Sequence, residues 1–151
     1  MNTPAQNYPP AIRRGRKEDA AAIAELSTQL GYPSTTQQIE RRLERVIPDP
    51  AHALFVAELS EGKIGGWLHV FSYVVVESDP RAEVAGLVVD AKLRGSGIGR
   101  LLLQQAEHWA REKGYAVIGL RSNIVRHGAH AFYQKLGYEI PKTQHVFRKK
   151  I

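Results

Sequence analysis

Two periods of apolar and polar residues alternate along this chain, and the switch between them comes near residue 50. In the first part Ile23, Leu26 and Leu30 share helical spacing, which predicts a helix over residues 17–31. Glu18 and Asp19 sit at its positive end, and Gly31 is its stop signal. Residues 34–37 (Ser-Thr-Thr-Gln) have capping-box spacing, and Ile39, Leu43 and Val46 continue one face to a halt at Pro48. A short strand over 11–15 precedes both helices. Beyond residue 50 the period shortens. Strands are predicted over 51–59 and 65–76, with a hairpin turn at 60–63 between them. A second turn is expected at 78–81 and a third strand over 82–90. Gly86 inside that strand signals a bulge or a close backbone approach.

The helical period then returns. Ile98, Leu101, Leu102, Ala106 and Trp109 fall on one face of a helix that Gly114 ends. A mostly apolar strand follows over 115–123. A short helix over 127–137 carries the stripe Ala129, Phe132, Tyr133 and Leu136, and a last strand is expected over 143–149. Helices, then a meander, then strand–helix–strand–helix–strand describe an α/β domain of the α+β, mixed-sheet kind. Its sheet is mainly antiparallel with a parallel pair in the second half, flanked by about four helices.

The join between the third strand and its helix reads Arg94-Gly95-Ser96-Gly97-Ile98-Gly99-Arg100. Alternate glycines cost backbone entropy and bury nothing. Before a helix, however, they let successive N–H groups point into one concavity at the positive end of the helix dipole. With Arg94 and Arg100 beside it, the natural ligand is a pyrophosphate. The loop lacks the Gly-Lys-Ser/Thr ending of nucleotide-hydrolase phosphate loops. It is also one position short of the G-x-G-x-x-G dinucleotide fingerprint, and the next strand ends in Arg121-Ser122-Asn123, not in an acid.

Composition narrows the classes. With 151 residues the chain fits one domain, read as 11–151 behind a flexible leader at 1–10. There is no cysteine, hence no disulfide framework and no thiol nucleophile. No apolar run reaches the roughly 18–20 residues of a membrane span, and the proline-rich start lacks a signal-peptide core. A cytoplasmic protein without a membrane partner is expected. The net charge of +6 favours an anionic partner. The basic residues are scattered and the aromatics unclustered, so nucleic acid is not the expected partner. His127 and His130 lack a metal-binding pattern and read as solvated helix residues, so no metal is expected.

The glycine loop resembles the coenzyme A pyrophosphate motif, Q/R-x-x-G-x-G/A, of the GNAT superfamily of N-acetyltransferases. Ala129 to Tyr138, AHAFYQKLGY, is similar to that family's late A-x-x-F-Y-x-x-x-G-F/Y segment. Gly86 to Asp90 resembles its fourth strand, where a bulge splays the sheet. The match is good from Ala82 to Tyr138; before that, only the order of elements agrees. The resemblance implies acetyl-CoA as co-substrate and an amine as acceptor. It implies coenzyme binding by the backbone at Leu87, Val88 and Val89, and by Arg94, Gly95, Ser96, Gly97, Ile98, Gly99 and Arg100. Asn123 is a further candidate for the pantetheine arm. Many members have asparagine where this chain has Arg126, which leaves open whether Asn123 or Arg126 makes a coenzyme contact.

Acetyl transfer to an amine needs a proton acceptor, since roughly one alkylamine molecule in a thousand is neutral near pH 7. The leaving thiolate needs a donor. The resemblance points to Tyr133 as acid and to Glu83, eleven residues before Arg94, as base through water. Glu58, His69, Glu77 or a water chain are the alternatives. Transfer is direct, because no cysteine can carry the acetyl group. Tyr32, Pro33, Trp67 and His69 are candidates for the acceptor pocket, whose amine stays open. The family also allows a homodimer. A catalytically inactive coenzyme A sensor, and less readily a basic nucleic-acid module, are the other classes.

Overall fold

The computed structural model describes residues 9–151; most of the leader expected at 1–10 lies outside the described residues. The chain divides into two compact units, residues 1–121 and residues 122–151.

The first unit is a five-stranded sheet in the order β1-β2-β3-β4-β5 with three helices. Its strands are β1 (Ala11–Arg14), β2 (His52–Glu58), β3 (Ile64–Val75), β4 (Ser78–Val89) and β5 (Ile118–Leu120). Neighbours pair antiparallel except β4 and β5, which are parallel. The helices are α1 (Ala20–Leu30), α2 (Thr36–Val46) and α3 (Ile98–Glu112).

Each strand puts alternate side chains on opposite faces. On one face Leu54, Val56 and Val88 join Ile23, Leu26, Ile39 and Leu43 of α1 and α2 in a buried cluster. The other face receives α3 through Leu102, Leu103, Ala106 and Trp109, all almost fully buried. Gly66 makes that approach possible: a Cβ there would stand 2.8 Å from the Val88 carbonyl oxygen and 3.3 Å from both Ile98 and Leu102. Arg13 ties β1 to its surroundings. It donates two bonds of 2.8 Å to the buried Asp19 carboxylate and one of 2.5 Å to Glu58.

Four local expectations shift. The turn expected at 78–81 lies at 76–77, and β4 already begins at Ser78. Pro80 reads as a breaker, but it stands before β5 starts to pair at Ala82, beside a register shift between Tyr73 and Val75. On that free edge its missing N–H costs no bond to β5. The capping box falls one residue later, on Thr35 and Gln38. The strand expected over 115–123 pairs only at β5, residues 118–120. The last strand does not form: residues 138–151 lie in no helix or strand, and Phe147 is 90% exposed. Its two apolar residues, Val146 and Phe147, are adjacent, so no strand face could bury both.

The second unit holds α4 (His127–Lys135). Ala129, Phe132, Tyr133 and Leu136 are its half-buried stripe, as their spacing predicts.

Candidate functional site

The glycine loop follows the end of β4. Here Leu87, Val88 and Val89 pair with Leu68, Trp67 and Gly66 of β3. Pairing with β5 stops at Val84 and Leu120, so the opposite edge of β4 runs on to Val89 with no strand beside it among the described residues. The bulge that Gly86 signals is present: Gly86 pairs with His69 and Val84 with Val70, which leaves Ala85 as the extra residue. Gly86 also admits the Trp67 ring, which a Cβ there would meet at 2.9 Å.

After β4 the Asp90 carboxylate accepts the Lys92 N–H at 3.1 Å and caps a single tight turn. That bond is the main reason the carboxyl lies below its ordinary pKa. Gln29 of α1 holds the Ala91 N–H at 2.9 Å. Gly95 and Gly97 then take left-handed φ angles of 80° and 88°, with open space where their Cβ atoms would stand. The Ser96 hydroxyl donates to the Leu93 carbonyl. The first bond into α3 runs from Leu101 N–H to the Gly97 carbonyl at 3.1 Å. Among the described residues the N–H groups of Ile98, Gly99 and Arg100 have no protein acceptor. Arg94 and Arg100 are exposed and carry no ion pair among the described residues. The Ile98 side chain is buried, so only its backbone faces outward. Free N–H groups, open space and two unpaired guanidiniums form an anion cradle.

A second cluster occupies the α1/α2 face of the sheet, at the end those helices leave open. Glu83 is 5% exposed. Its carboxylate lies against Gly119 of β5, where a Cβ would be 2.8 Å from Oε2. Arg81 Nε stands 3.3 Å from Oε2 and Arg121 Nε 3.8 Å from Oε1. Both guanidiniums lie over the Tyr73 ring, at 4.1 and 5.9 Å from its centroid. Phe71 and the stacked imidazoles of His52 and His69 extend the strip, with 2.9 Å between His52 Nδ1 and His69 Nε2. Burial, reinforced by His52, pushes His69 down to about 4, so it is neutral near pH 7.

The alternatives to Glu83 are scattered. Glu58 is bound to Arg13, Glu77 is exposed in the β3–β4 turn, and His69 lies in the strip. Tyr32 and Pro33 are exposed, whereas Trp67 packs against the core. Sequence reasoning missed His52, Phe71, Tyr73, Arg81 and Arg121. The signal was available in part: His69, Phe71 and Tyr73 share one face by strand alternation, as do Arg81 and Glu83.

In the second unit Asn123 accepts the Val125 N–H at 3.1 Å through Oδ1, which leaves its NH₂ donors. His130 Nε2 donates to the Asn123 carbonyl at 2.8 Å. Tyr133 is raised above the ordinary phenol range by burial, against a smaller opposing effect of Arg126.

The structure is an α/β protein with a mixed sheet and a glycine loop between its fourth strand and third helix. The chain matches the Acetyltransferase (GNAT) family over residues 20–138 and belongs to it. It is an N-acetyltransferase. It is 32% identical over 143 residues to an aminoglycoside N(6')-acetyltransferase type 1 of Stenotrophomonas maltophilia, covering 92% of each chain. A shorter stretch, 57 residues at 44% identity, matches an aminoalkylphosphonate N-acetyltransferase of Salmonella typhimurium, over 38% of this chain and 37% of that one. Among solved structures, AAC(6')-Iy in complex with the bisubstrate analogue CoA-S-monomethyl-acetylneamine has the same fold. Its TM-score is 0.82 at 20% identity, over 94% of this chain and 99% of that chain.

Proposed function

We propose that residues 11–151 form one cytoplasmic N-acetyltransferase domain that moves the acetyl group of acetyl-CoA directly to a primary amine. The observation that carries this reading is the cradle: left-handed Gly95 and Gly97, the unpaired N–H groups that open α3, and free Arg94 and Arg100. It suits the coenzyme pyrophosphate. The unpaired edge of β4 at Leu87, Val88 and Val89 offers backbone groups to the pantetheine arm, and the NH₂ of Asn123 is a further donor.

In the reaction the amine nitrogen bonds to the thioester carbonyl carbon as the carbon–sulfur bond breaks. Glu83 takes the proton from the amine through a bridging water. Tyr133, a phenol that is protonated near neutral pH and whose pKa burial raises further, gives a proton to the departing thiolate. Relatives named for aminoglycosides and for aminoalkylphosphonates leave the acceptor to be read from this chain's own residues.

Calorimetric titration with acetyl-CoA tests the reading, with Gly97→Val as control. A side chain at φ 88° is strained, and the altered loop no longer aims its N–H groups together. Binding by the parent, weakened at least about tenfold in a variant of unchanged circular dichroism, is expected. A folded parent that ignores acetyl-CoA would sink the proposal.

A further inference from the structure

We infer that Arg81 and Arg121 form an anion-binding subsite for the acceptor, so that the acceptor is a short amine that also carries a carboxylate or phosphonate. This deepens the acetyltransferase reading and rests on it. Charge is the first argument. Two guanidiniums share one carboxylate, Glu83, at 3.3 and 3.8 Å, which leaves the cluster one positive charge in excess. The nearby His69 is neutral near pH 7, and Asp49 is already engaged by the Ala51 N–H at 2.9 Å and by His52 at 3.8 Å.

Unused donors are the second argument. A guanidinium has five N–H groups in a planar fork. Arg81 spends two, on Glu83 and on Ser78 Oγ at 3.4 Å. Arg121 is 69% exposed and has no other polar partner than Glu83 among the described residues. Yet it is not a loose surface cation, because both forks are laid over the Tyr73 ring, which limits their orientations. Forks held in this way match the two oxygens of a carboxylate or the three of a phosphonate.

Position is the third. The cluster spans the parallel β4–β5 pair, on the strand that leads into the cradle. Glu83 lies between the two cations, so one short molecule can hold its ammonium toward Glu83 and its anion on the guanidiniums. A polycationic amine would instead meet two like charges.

Binding is tested by calorimetry, with and without coenzyme A, using 2-aminoethylphosphonate, β-alanine, propylamine and spermidine. The two zwitterions are expected to bind at least about tenfold more tightly than the uncharged-tail amine or the polyamine. Arg121→Gln, at an exposed position, and Arg81→Gln should each weaken the zwitterions about 10- to 100-fold, the range of hydrogen bonds to charged groups, with acetyl-CoA affinity unchanged. The tighter of the two zwitterions names the anion. Equal or tighter binding of propylamine or spermidine, zwitterion affinity untouched in both variants, or no zwitterion binding to the folded protein would overturn the inference. The titration reads amine binding alone, so a protein that fails to bind acetyl-CoA refutes the acetyltransferase reading separately.

Discussion

In the proposed mechanism Glu83 and Tyr133 carry opposite demands on a proton, and each can be tested by removing one atom's function. Glu83→Gln keeps the side chain's bulk over Gly119 but cannot accept the proton, so kcat should fall by about 10²–10⁴. An unchanged kcat would transfer the base role elsewhere. Tyr133→Phe keeps the half-buried ring in the α4 stripe and removes only the hydroxyl. Its loss should be of similar size with acetyl-CoA, on the order of 10²–10⁴. The loss should shrink with an acetyl thioester whose thiol is more acidic, because such a leaving group needs less protonation. Equal losses with both thioesters would make Tyr133 a packing residue. The acid and base roles come from the family resemblance; the glycine loop and the α4 stripe that holds Tyr133 were legible because each lies within a compact sequence pattern. Arg81 and Arg121 were not. Arg81 lies on β4 and Arg121 just beyond β5, and only the register that sets Glu83 against Gly119 brings them to one carboxylate.

Among the elements, the helices and the first four strands were read to within a few residues, and the misreadings fall on strand limits and on a last strand that depend on a partner. Ile23, Leu26 and Leu30, or Leu102, Ala106 and Trp109, announce a buried helix face wherever the helix lies. A strand needs a neighbour, which no local pattern supplies. Pro80 therefore looked like a turn although it lies in β4, and residues 143–149 looked like a strand although none forms there. The start of α1 shows the same dependence. Asp19 reads as an acid at a helix N-terminus, yet its carboxylate accepts two bonds from Arg13 of β1 and the Arg16 N–H, each at 2.8 Å. It thereby fastens the first helix to the edge strand. Asp19→Asn should cost about 2–4 kcal/mol, since it strips the charge from a largely buried pair and leaves Arg13 without its bidentate partner. Urea unfolding at pH 7 measures this, and a cost below about 0.5 kcal/mol, the usual range for surface changes, would mean that the clamp contributes little.

At the scale of the whole molecule these buried groups set how the fold responds to acid. His69 titrates at about 4 in the fold against an ordinary 6.5, chiefly because burial disfavours its charged form. Between those values the unfolded chain binds a proton that the folded chain does not. Stability should therefore fall as pH drops from about 6.5 to about 4, by on the order of 2 kcal/mol after allowance for partial exposure. Asp19 acts lower. Burial raises its pKa, but Arg13 and the Arg16 N–H outweigh that and hold it below 3.8, so its contribution is complete above 3.8 and is lost as pH falls through the folded value. The general rise in positive charge on a chain already at +6 adds self-repulsion over the same range. A variant comparison separates these effects, since charge build-up is nearly common to both proteins. His69→Gln keeps a polar partner for His52 but has no proton to gain. Its urea midpoint should change much less than the parent's between pH 7 and pH 4.5, and the two should fall in parallel below pH 4. Parallel curves over the whole range would show that the acid sensitivity of this fold arises from its surface charge and not from the imidazole under its open sheet face.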